Sequence, residues 1–80
     1  MSDLKKRIQE QENFMEVYKT TFLKLEDSIK KEDLTSFVDL VIELANGLGT
    51  PVPNIVAEAF NNKDVGIARS FLLDLMTVEK

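Results

Sequence analysis

The chain has 80 residues and a mass of 9.1 kDa, which is one domain, and 44% apolar residues are enough for a single small core. A formal charge of −4 argues against a binder of nucleic acid or anionic membrane driven by bulk charge. Cys, His and Trp are absent, so disulfides, thiolate nucleophiles, imidazole bases and Cys/His zinc sites are excluded.

Residues 1–32 are crowded with charge, and residues 33–80 are the greasier part. In the first segment Leu4, Ile8, Gln11, Met15, Tyr18, Phe22, Leu25 and Ile29 are spaced alternately by four and three. That is a heptad seam with Gln11 as its one polar member, and no Gly or Pro interrupts residues 1–46. Ser2 or Asp3 caps its start. The pattern predicts one long helix over residues 3–31, about 43 Å long at 1.5 Å per residue. The apolar phase breaks at Glu32 and Asp33 and restarts at Leu34, so a bend falls there, with Asp33 as a cap and a bent continuous helix as the alternative.

The second helix runs from Leu34 to Asn46 or Gly47, with Leu34, Phe37, Val38, Val41, Ala45 and Leu48 as its main stripe. Leu40, Ile42 and Leu44 widen the stripe, which makes this the central helix, and Gly47 or Gly49 supplies a left-handed end. A third, short helix starts at Thr50-Pro51 or only at Pro53, because Pro53 pushes Val52 out of the helical region. Ile55, Val56, Ala59 and Phe60 are its expected inward residues, followed by a polar turn over residues 61–64. Asp64 caps a fourth helix over Val65–Val78, with Ile67, Ala68, Phe71, Leu72, Leu75 and Met76 inward. No stretch alternates with the period of a strand. The expected architecture is all-α: a single domain of four helices, the long first one packed with three shorter ones.

Little in this pattern points to catalysis. Asp39 and Glu43 share a helical face, but two carboxylates without further ligands read as a solvated strip. Ser28, Ser36 and Ser70 have no His to activate them, and Gly47-Leu48-Gly49 is a helix end rather than a phosphate loop. The expectation is a protein without enzymatic activity and without cofactor or metal. Leu4 and Ile8 stand alone among charges, so no signal-peptide core is visible, and the longest apolar runs are Leu40-Val41-Ile42 and Phe71-Leu72-Leu73. Both are far short of the roughly 18 residues of a membrane span. A cytoplasmic protein is expected. Lys5, Lys6 and Arg7 offer little to a membrane surface, since acidic and basic residues balance over 1–32.

The seam points instead to association. A helix of that length outreaches its three short neighbours, and Phe14, Val17 and Leu23 add a second, broken apolar face, while Leu73 lies outside the main stripe of helix four. Surplus apolar surface of this kind marks a partner site. Ile8, Phe14, Met15, Tyr18 and Phe22 form the expected contact stripe of a regulator, adaptor or inhibitor, with a protein partner and self-association into a homo-oligomer. Two other readings compete. Residues 55–76 have the outline of a degenerate helix-turn-helix with Lys63 and Arg69 as phosphate contacts, but Lys63, Arg69 and Lys80 are outnumbered by Glu58, Asp64, Asp74 and Glu79, so nucleic acid is a poor partner. No motif names a family; size and helical content are shared with bacteriocin immunity proteins, repressor antagonists and assembly chaperones, an analogy of architecture alone, and a small immunity or antagonist protein is the other reading.

Overall fold

In the computed structural model, which describes residues 3–77, the chain forms six helices: α1 (Asp3–Gln9), α2 (Phe14–Val17), α3 (Lys19–Lys30), α4 (Leu34–Leu48), α5 (Asn54–Asn62) and α6 (Val65–Met76). There is no strand among the described residues. Ser2, Val78, Glu79 and Lys80, which entered the sequence reading, lie outside them.

The expected first helix is broken into three. The chain turns over residues 10–13, where Asn13 takes a left-handed conformation (φ 60°), and a lesser irregularity at Tyr18 (φ −102°, ψ 13°) separates α2 from α3. The reason is geometric. The molecule is 33 × 24 × 21 Å, shorter in every direction than an unbroken helix of residues 3–31. Such a rod would carry Leu4 and Ile8 beyond the body. Folded back, α1 packs on α4 and α6 and both side chains become wholly buried. Gln11, the polar member of the seam, falls in the exposed turn. Two polar hooks hold α1 in place. The buried Lys5 ammonium meets the Asp74 carboxylate at 2.9 Å. The Gln9 amide donates to the carbonyls of Leu75 (3.3 Å) and Thr77 (2.6 Å).

The remaining helices start and stop largely where local chemistry dictates. The Asp33 carboxylate accepts from the Ser36 N–H (3.1 Å) and the Ser36 hydroxyl (2.8 Å) and caps α4. The same two bonds, the side-chain one foremost, hold the Asp33 carboxyl below its ordinary pKa, with Lys31 adding a smaller attraction. Gly49 (φ 68°) closes α4, and the Thr50 N–H reaches back to the Ala45 carbonyl. Thr50 caps no helix, because Val52 before Pro53 is held out of the helical region and α5 begins only after Pro53. Asp64 caps α6 through the Ile67 N–H (3.3 Å). Glu32 (φ 55°) and Lys63 (φ 52°) end α3 and α5 in the left-handed region without being glycine.

The core gathers around α4. Phe37 is fully buried and meets Phe71 edge-on, with ring centroids 6.1 Å apart. Val41, Ala45, Leu25, Ile29, Leu72 and Leu75 pack in the same cluster. Helix α5 departs from the expected pattern. Val56 and Ala59 are buried, whereas Ile55 and Phe60 are exposed. One medium and one small side chain, three apart, bring α5 onto α4 and α6 through a narrow face, which leaves the bulkier neighbours at its flanks.

Phe37→Ala is expected to cost about 3–5 kcal/mol in urea denaturation, a large part of the roughly 4–12 kcal/mol typical of this chain length. Lys63→Gly is expected to stabilise by about 0.5–1 kcal/mol, since it removes left-handed strain at a residue with a side chain, and Gly49→Ala to destabilise for the converse reason. Asp33→Ala is expected to lower Tm at neutral pH. A depressed carboxyl pKa contributes stability above the unfolded value near 4 and loses it as pH falls through the folded value, so the gap from wild type should close in acid.

Candidate protein-binding groove

Two helical ridges build a largely apolar concavity. On α3, Glu26, Ile29 and Lys30 stand at i, i+3 and i+4. On α6, Arg69, Leu72, Leu73 and Met76 stand at i, i+3, i+4 and i+7. Buried Ile29 and Leu72 form the floor, half-buried Met76 an adaptable flank, and Leu73, 58% exposed, a wall. The groove holds about 300 Å³.

Its rim carries two cations and one carboxylate. Lys30 lies 3.9 Å from Glu26, a distance that leaves both solvated and worth little to each other. The Arg69 guanidinium has no ion pair or side-chain hydrogen bond among the described residues. An exposed apolar wall beside an uncommitted guanidinium, on a chain whose net charge is −4, is a local reversal of the prevailing surface.

The contact stripe expected from the seam is dispersed. Ile8 (0%), Phe14 (8%) and Phe22 (4% exposed) are core residues of this chain, because the fold-back of α1 and the packing of α3 seal them. The turn at 10–13 also separates Ile8 from the rest. Of the five, only Met15 and half-buried Tyr18 keep surface, and Tyr18 leans on Phe22 at 6.3 Å between ring centroids. The premise that a long first helix outreaches its neighbours is therefore corrected. Of the two proposed phosphate contacts, Lys63 sits in the α5–α6 turn and Arg69 on the outer face of α6, where Leu73, Lys30 and Glu26 share its groove. The helix-turn-helix outline is also altered: the turn is two residues, Lys63 and Asp64, and Phe60, expected to face inward, is exposed. Leu73, set outside the main stripe of its helix, was the one sequence sign of the groove; Glu26, Ile29 and Lys30 gave none, since their helix faces other neighbours along most of its length.

Other concavities are more polar or more open. One of about 480 Å³ lies between the α3–α4 and α5–α6 turns and is lined by Glu32, Asp33, Leu34, Phe60 and Lys63. A charged cleft of about 370 Å³ runs between α1 and the α4–α5 loop, walled by Lys6, Arg7, Asp3 and Glu10. Asp39 and Glu43 are both exposed, and among the described residues no three His, Cys, Asp or Glu are placed to hold a metal. No described helix is long and apolar enough to cross a membrane. Comparison with protein families, curated proteins and solved structures finds no match to this chain.

Floor and wall of the groove are expected to separate in stability. Leu72→Ala should cost about 2–5 kcal/mol in urea denaturation, while Leu73→Ser and Arg69→Ala should stay within about 0.5 kcal/mol of wild type.

Proposed function

We propose that this chain is a protein-binding module, acting without catalysis as a small regulator, adaptor or inhibitor, and that its docking surface is the groove between α3 and α6. The supporting observation is Leu73, a large aliphatic side chain kept 58% exposed beside a concavity floored by Ile29 and Leu72. Exposed aliphatic walls around a concave floor are how helical proteins take an anchor side chain from a partner. The groove, with two cations and one carboxylate around Leu73, Leu72 and Ile29, suits an apolar protein surface better than a row of phosphates.

The test is capture by the tagged full-length chain in the cells that express it. Wild type is expected to retain a protein in stoichiometric amount, and Leu73→Asp is expected to lose it with an unchanged circular dichroism spectrum. Met15→Asp, which alters another exposed apolar position far from the groove in sequence, is expected to retain it. Retention by Leu73→Asp would remove the groove as the docking surface.

A further inference from the structure

The groove narrows the chemistry of its occupant. No strand edge exists among the described residues, so a peptide cannot bind by extending a sheet. No aromatic side chain lines the groove, which removes the usual platform for a proline-rich segment. What remains is a helix that inserts an aliphatic anchor. Beside that anchor it must be acidic, because the rim offers Arg69 without a partner and Lys30 only loosely engaged.

A helix of that description is present on the same chain. On the outer face of α4, Ile42 is 38% exposed while the main stripe of the helix, Phe37, Val41 and Ala45, is fully buried. Asp39 stands one turn before it, Glu43 directly after it and Asn46 one turn beyond, all exposed. Neither carboxylate has an ion pair or side-chain hydrogen bond among the described residues. The surface is thus an aliphatic knob with two uncommitted carboxylates along one side of it, the side that turns toward Lys24 of α3, and the groove is an aliphatic hole beside an uncommitted guanidinium.

We propose that α4 of a second copy occupies the groove, with Ile42 as the anchor and Asp39 and Glu43 opposite Arg69 and Lys30. This deepens, and rests on, the reading of the groove as a protein-binding surface. The two surfaces share no residue, so one copy uses both at once. The contact is head to tail, and it propagates into a ring or a filament rather than stopping at a symmetric dimer. Groove against groove would instead oppose two rims that each carry two cations and one carboxylate, the poorer arrangement of charge.

Sedimentation of the full chain from ~10 µM to ~1 mM, the range in which a contact of this kind registers, tests the proposal. Wild type is expected to grow past a dimer as concentration rises. Ile42→Asp, which spoils the knob, and Leu73→Asp, which spoils the hole, are each expected to remain monomeric and folded by circular dichroism. Mixed together, they retain one intact hole and one intact knob, so the mixture is expected to form a 1:1 dimer and stop. Arg69→Glu is expected to shift assembly to at least ~tenfold higher concentration, and Asp39→Lys with Glu43→Lys in the same chain to restore it. A wild type that stays monomeric throughout, a mixture that does not dimerise, or an Ile42→Asp variant that assembles normally overturns the proposal. A monomeric wild type that still captures a different protein through Leu73 defeats this inference alone and leaves the groove's role standing.

Discussion

The architecture depends on the fold-back of α1. An 80-residue domain buries only about 60% of what its unfolded chain exposes, so it has little apolar surface to spare on a projecting rod. Turning the chain at residues 10–13 brings Leu4 and Ile8 into the cluster that also holds Leu25, Phe37, Val41 and Leu75. The turn places Asn13, a residue that tolerates the left-handed region better than most, at the strained position. The hooks from Lys5 and Gln9 then act at the far end of α6, so the first and last described helices are tied together and the chain closes on itself.

That closure decides which surfaces remain. With α1 covering one end of α4 and α6, Leu4, Ile8, Phe22, Leu25 and Ile29 of the seam face inward, and Phe14 beside it joins Phe22 in the core. Leu73 and Ile42 are among the large apolar side chains left outside, with Met15, Val17, Leu23, Ile55 and Phe60. Leu73 stands at the edge of α6 because Leu72 and Phe71 already point into the core. Ile42 stands on the back of α4 because that helix is covered on a face that reaches only as far as its half-buried flanks. Exposed apolar groups thus arise beside charged ones that have no ion pair or side-chain hydrogen bond among the described residues, Arg69 in one case and Asp39 and Glu43 in the other. This pairing of unused grease with unused charge supports the reading of both surfaces as docking sites.

Legibility followed locality. The caps Asp33 and Asp64 and the burial of Phe37, Val41, Val56, Ala59, Phe71 and Leu75 each depend on residues within a few positions of one another and are as the pattern predicts, while the left-handed close at Gly49 and the start of α5 after Pro53 are each one of two alternatives the pattern left open. Ile55 and Phe60 were misplaced because hydrophobicity alone does not say how wide a face a short helix presents. Val56 and Ala59 made the contact narrow, and only the positions of α4 and α6 reveal that. The break in the first helix was foreshadowed by Gln11 alone, since a heptad rhythm continues unchanged through a turn that displaces whole segments without altering their faces.

By itself the sequence determined that the chain is helical, where its later helices are capped and closed, and which chemistry is closed to it for want of Cys and His. Those properties are set by side-chain identity and by spacing along a few turns. Tertiary structure alone decided that the first segment folds back, that Ile8, Phe14 and Phe22 are core rather than contact residues, and that α3 and α6 diverge over Ile29 and Leu72 to leave a groove. These depend on the match between helix length and the size of the body, a balance struck among all the helices together and written in no single stretch of the chain.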